Sequence, residues 1–153
     1  MKNVFLIALL AIIGINSATA QKATRTKHYN TESGLALQGY DPVAYFTQNK
    51  AVQGSKQFAA NADGVTYYLS SAANKALFVK EYKKYEPQYG GWCAYAMGAM
   101  NEKVEIDPKT FKVKNGKLYL FYHSWTNNTL PKWNEMEGTL LPNADKNWTA
   151  VFR

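Results

Sequence analysis

The chain has 153 residues, with 18 Lys and Arg against 11 Asp and Glu, a net charge of +7, one cysteine and two histidines. One cysteine excludes an intrachain disulfide and a Cys-x-x-Cys pair, so thiol chemistry here must join Cys93 to other groups. No HExxH helix, Ser-His-Asp order, paired glycosidase-like carboxylates or phosphate-binding glycine loop is present, so an ordinary hydrolase is not expected, and the modest, dispersed basic excess does not point to nucleic acid.

Lys2, the apolar run Val4 to Ile15 and the small residues of Asn16-Ser17-Ala18-Thr19-Ala20 have the three parts of a secretory signal peptide, residues 1–20, with cleavage after Ala20. The apolar run is shorter than the roughly 20 residues that a membrane span needs, so no stable membrane insertion is expected after cleavage. Loss of Lys2 lowers the net charge to about +6. The sequence thus points to an exported protein, periplasmic or extracellular. Residues 21–33 are polar and unpatterned and read as a mobile arm, which leaves 34–153 as one domain.

Along that domain, Asp41-Pro42 is a helix start, with Asp as N-cap, Pro at the first helical position and one turn of Val43, Ala44, Tyr45 and Phe46 behind it. Gln57 to Ala60 and Val65 to Leu69 flank Asn61-Ala62-Asp63-Gly64, the pattern of a hairpin. Ser70 or Ser71 caps a helix that runs to about Lys84, with Leu77, Phe78 and Tyr82 as its apolar stripe; Pro87 stops it. Its cluster Lys80, Lys83 and Lys84 reads as a solvated face.

Gly90-Gly91 opens a short helix from Trp92 to about Met100. Thr110 to Lys114 and Lys117 to Tyr122 flank Asn115-Gly116, a second hairpin whose nearly all-apolar second strand suggests a central position. Asp107-Pro108 is a turn before it. Trp125 to Met136 reads as a helix that admits Pro131 near its first turn, and Leu140 to Phe152 as a last short helix anchored by Trp148 and Phe152. Two hairpins interleaved with short helices make a small α+β domain.

Gly39-Tyr40-Asp41-Pro42-Val43-Ala44-Tyr45-Phe46, then Tyr67-Tyr68-Leu69-Ser70-Ser71 with Asn74 and Phe78, then Tyr85-Glu86-Pro87-Gln88-Tyr89-Gly90-Gly91-Trp92-Cys93-Ala94-Tyr95 together resemble an exported YHS-domain protein of the YHS domain-containing (seleno)protein-like family. The resemblance runs from Gly34 to beyond Trp148 and implies a YHS-like core with a C-terminal helical extension. It also implies metal binding, with ligands near an Asp-Pro-Val start and after the second strand. The chain departs from that pattern at Ala44, at Ser70 and at Ala73 or Asn74, where thiolate or imidazole would stand. Hydroxyl and amide groups are poor transition-metal ligands, so a retained site must have moved.

Cys93 is the candidate for its new centre. Cys93, Met97 and Met100 stand at i, i+4 and i+7, one face of a continuous helix, and a thiolate with two thioethers favours copper(I) or another soft transition metal. His123, at the end of the second hairpin, adds a candidate imidazole. The same residues have plainer readings: Cys and Met fill cores, and a lone His is often structural. Placed in the first turn of its helix, Cys93 would meet orphan N–H groups and a dipole that lower a thiol pKa; a lone cysteine in an oxidising compartment also motivates the alternative activity, a redox-active thiol. Tyr40, Tyr45, Tyr67, Tyr68, Tyr89, Trp92, Tyr95, Trp125 and Trp133 suit either a core or a ligand groove, and a non-covalent haem on Cys93 stays open. A third reading is an interaction module that kept the fold and lost the metal. Asp41 is explained by capping.

Overall fold

The computed structural model describes residues 19–151, so the expected signal peptide, residues 1–20, falls almost wholly outside the described residues. Residues 19–28 form a helix, α1. It is followed by two-residue strands β1 (Thr31–Glu32) and β2 (Leu35–Ala36), a 3-10 turn η1 (Leu37–Gly39) and helix α2 (Pro42–Thr47). Strands β3 (Ser55–Ala62) and β4 (Val65–Leu69) precede α3 (Ala72–Tyr85), a second 3-10 turn η2 (Gln88–Gly91) and α4 (Ala94–Ala99). The second hairpin, β5 (Asp107–Lys114) and β6 (Lys117–Phe121), leads into the long α5 (Thr129–Ala150). The protein is an α+β fold with a four-stranded sheet, order β1-β2-β4-β3, and a two-stranded one.

Both expected hairpins form. In β4, Val65, Tyr67 and Leu69 are buried and alternate with half-buried Thr66 and Tyr68, the signature of a strand with one covered face. β6 differs: Leu118 to Phe121 are all buried, because it divides two cores. Leu118 and Leu120 pack into one cluster with Tyr45, Tyr67, Leu69, Phe78 and Cys93. Tyr119 and Phe121 pack into the other with Met97, Trp133, Leu140 and Ala144. The expected central position is thus corrected in form: among the described residues β6 pairs with one strand, β5, and its second edge meets Pro87 and Cys93 through isolated bridges to Leu118 and Leu120.

The helix caps follow from side-chain chemistry. The Asp41 carboxylate accepts from the Val43 and Ala44 amides at the start of α2, and Ser71 Oγ accepts from Asn74 N at the start of α3. The expected helices at Trp125 to Met136 and from Leu140 onward are instead one: Asn128 caps it, and it continues through Pro142 to Ala150, while the expected anchor Phe152 lies outside the described residues. A proline there removes the bond to the carbonyl four residues back, which is that of Gly138. Gly138 is exposed, so that carbonyl keeps access to water, while Trp133, Leu140 and Ala144 hold the helix to the core.

Residues 21–33, expected to be a mobile arm, carry most of α1 and a buried anchor. Arg25 is 6% exposed; its Nη1 donates to the Tyr29 hydroxyl at 2.7 Å and to Glu86 Oε2 at 3.2 Å, and its Nη2 donates to the Ala62 carbonyl at 3.3 Å and to Glu86 Oε1. Tyr67 donates to the same Glu86 oxygen at 2.8 Å. Polar composition hid this segment, because one buried arginine leaves no hydrophobic periodicity.

Candidate binding cavity at Cys93

The approach to Cys93 is set by backbone conformation. Tyr89, Gly90 and Gly91 all have positive φ (55°, 60° and 88°), and a Cβ on Gly90 would stand 2.7 Å from the Trp148 ring. Glycine at 90 therefore meets both a left-handed backbone and a closely packed indole. Tyr89, without that freedom, is held by burial and by donating its hydroxyl to Asp145 Oδ1 at 2.9 Å. The chain then enters β6's free edge, where Cys93 N donates to the Val104 carbonyl at 3.0 Å.

Cys93 is the N-cap residue of α4, not a member of its first turn, and its side chain makes no capping bond. The sulfur has no exposure and lies in a closed ring of polar contacts instead. Tyr122 N donates to Sγ at 3.3 Å, and Sγ stands 3.5 Å from Thr129 Oγ1, whose own hydrogen goes to the Tyr122 carbonyl at 2.9 Å. A hydroxyl has one hydrogen to give, so in the Sγ–Oγ1 contact the thiol is the donor.

Beside this ring opens a cavity of about 340 Å³. Cys93, Tyr95, Ala96, Met100, Val104 and Thr129 line it, with Tyr122, Asn127 and Lys132 completing the wall. Met100 is 51% exposed, whereas Cys93 lies at full depth. Lys132 donates to Asn127 Oδ1 at 2.8 Å.

The four candidate ligands therefore separate. Cys93 and Met100 line one cavity. Met97 packs on the other side of β6 with Phe121, Trp133 and Leu140. His123 Nδ1 is taken up by Thr110 Oγ1 at 3.0 Å and lies 3.4 Å from Asp107 Oδ2, and the ring does not line the cavity. The i, i+4, i+7 spacing required a helix through all three sulfur residues, but α4 spans only Ala94–Ala99 and leaves 93 and 100 as its two caps. Among the described residues no group of three His, Cys, Asp or Glu side chains is placed to hold a metal ion.

The positions near the Asp-Pro-Val start do not fit a metal either. Asp41 is fully buried. Its Oδ1 accepts from Val43 N at 2.8 Å and Ala44 N at 3.3 Å; its Oδ2 accepts from Ser70 N at 2.8 Å, Ser70 Oγ at 2.6 Å and Asn74 Nδ2 at 2.7 Å. A carboxylate has about four lone-pair sites, so five donors leave none for a cation. With Ser70 and Asn74, Asp41 forms a structural knot between α2, β4 and α3.

Sequence reasoning missed Thr129, Tyr122, Asn127, Lys132 and Val104 around the sulfur. One signal was available: Asn127-Asn128-Thr129 before Leu130-Pro131 is a cap followed by a proline in the first turn, which starts α5 four residues later than Trp125. Trp125, expected inside a helix or lining a groove, is fully exposed in the turn between Ser124 and Asn127. Comparison with known protein families, curated proteins and solved structures finds no match to the chain.

Proposed function

We propose that the protein is an exported, non-enzymatic YHS-like binding module whose ligand seat is the Cys93 cavity, and that it takes a soft transition metal, copper(I) first, or a compact metal-bearing ligand. The observation that carries this reading is the meeting of the chain's one thiol and a half-exposed thioether, Met100, on a single cavity. Two sulfur donors suit a soft ion that accepts low coordination numbers. Tyr122 N–H, already aimed at Sγ, would stabilise the thiolate that a metal requires. Export rests on the leader-like residues 1–20; no helix among the described residues is long and apolar enough to cross a membrane.

Burial favours binding over the thiol-redox alternative, since redox-sensing cysteines are solvent-accessible and Cys93 is not. Haem has less support: a cavity of about 340 Å³ is at the small end of small-molecule sites, and a macrocycle would remain largely outside. The reading as an interaction module with a degenerate metal site draws on the saturated Asp41 knot, and differs in requiring no ligand at Cys93.

Titration of the reduced protein with copper(I) against a chromophoric chelator tests the proposal. One ion bound by the native chain is expected, with affinity falling at least about 100-fold in Cys93→Ala and about 10-fold in Met100→Leu, and unchanged in Met97→Leu and His123→Ala. Equal, weak binding by native protein and Cys93→Ala would sink the idea.

A further inference from the structure

We infer that the Cys93 cavity selects ligands that join an apolar body to one anionic group, the anion being met by Lys132 at the mouth. The inference rests on the reading of this cavity as the ligand seat and adds the chemistry of what fills it. Tyr95, Ala96, Met100 and Val104 give the wall an apolar character, and the Thr129 hydroxyl and the backbone amide and carbonyl of Tyr122 are already spent on one another and on the Cys93 sulfur. A neutral polar ligand would find few open partners in the interior and would lose its hydration on entry.

The charge on the lining is one-sided. Among the described residues Lys132 is the one charged residue on its wall, and no carboxylate lines it. The ammonium forms no ion pair with a carboxylate among the described residues; the Asn127 amide oxygen holds it at 2.8 Å. That bond occupies one of three N–H donors and fixes the head where α5 borders the opening, leaving two donors for an incoming anion. A charge-assisted bond from a pre-positioned donor is stronger than a neutral one and loses less freedom on binding. Met100 at the rim supplies an adaptable, polarisable contact to an aromatic or aliphatic body.

A matched pair of dyes separates body from charge: 1-anilinonaphthalene-8-sulfonate, and N-phenyl-1-naphthylamine, which has the same rings without the sulfonate. Both are titrated by fluorescence into the full chain and into Lys132→Met, Lys132→Arg and Lys146→Met, each first shown to retain the native circular dichroism; the leader is common to all and cancels. The sulfonate is expected to bind the native chain more tightly than the neutral dye. Lys132→Met should weaken the sulfonate about tenfold, Lys132→Arg and Lys146→Met should preserve it, and the neutral dye should bind all four alike. Sulfonate affinity unchanged in Lys132→Met, a preference for the neutral dye, or no saturable binding of either overturns the inference. Copper(I) titration of the same variants keeps the two proposals apart: Lys132→Met should hold copper as the native chain does, so loss of dye selectivity with Cys93-dependent copper binding intact removes this inference alone. The reverse pattern removes the metal reading and leaves the selectivity standing.

Discussion

The hydroxyl of Thr129 stands 3.5 Å from the Cys93 sulfur and gives its own hydrogen to the Tyr122 carbonyl at 2.9 Å, so the first residue of α5 accepts the thiol proton of the residue that caps α4. Thr129→Val keeps the shape and removes both hydroxyl bonds; the Tyr122 carbonyl keeps the backbone N–H of residue 129 at 3.1 Å, while the buried thiol loses its acceptor. We expect a loss of about 1–3 kcal/mol in denaturant unfolding, with Thr129→Ser close to native. A Thr129→Val protein as stable as the native one would show that the ring contributes nothing.

Gly98 makes the neighbouring approach possible. A Cβ there would lie 2.5 Å from the Leu140 carbonyl oxygen, which is backbone and cannot swing aside. Gly98→Ala should therefore cost about 1–3 kcal/mol despite the better helix propensity of alanine. Unchanged or raised stability in urea would contradict this packing of α4 on α5.

The small residues of α4 let it approach α5, as Gly98 against the Leu140 carbonyl shows. Local signals were legible: the Asp41 and Ser71 caps and the Asn115-Gly116 turn, with φ of 51° and 70°, depend on adjacent residues. What could not be read depends on distant partners. Pro142 is tolerated because of what packs on Leu140 and Ala144, Arg25 is buried because Glu86 waits sixty-one residues away, and Cys93 and Met97 part company because β6 runs between them.

The Arg25–Glu86 pair gives a test of α1. The proposed cleavage after Ala20 would leave Arg25 and its anchor in place. Breaking the pair with Arg25→Met leaves a buried carboxylate beside the Tyr67 hydroxyl, and a loss of about 3–5 kcal/mol is expected by thermal or chemical unfolding. An effect below about 1 kcal/mol, the range of exposed pairs, would place α1 off the domain.

Glu137 joins the second hairpin to α5, accepting from Lys114 at 2.5 Å, from Trp133 Nε1 at 3.0 Å and from Lys112 Nζ, 3.0 Å away. The Lys114 bond chiefly holds its carboxyl down, from an ordinary 4.5 to about 2, against burial and with help from Lys112 and Trp133. A group depressed on folding contributes stability above its unfolded value and loses it as pH falls through the folded one. Glu137→Gln should thus be less stable than native at pH 7 and should converge on it between pH 4.5 and about 2. A gap between the two that stays constant across that window would refute the assignment.

Asp41 tests the claim that the contacts around Asp41, Ser70 and Asn74 are structural. Asp41→Ala strips five donors of their acceptor and should destabilise by at least about 3 kcal/mol, whereas Asn74→Ala, removing one donor, should cost about 1–2 kcal/mol. Copper(I) affinity of folded Asn74→Ala should equal that of the native protein.

X-ray absorption at the copper edge of the copper(I)-loaded protein addresses the ligand seat itself. Two sulfur scatterers and no imidazole are expected, with one sulfur lost in Cys93→Ala or in Met100→Leu and no change in His123→Ala; a spectrum dominated by nitrogen or oxygen ligands, or one indifferent to Cys93, would contradict the placement of the metal in this cavity.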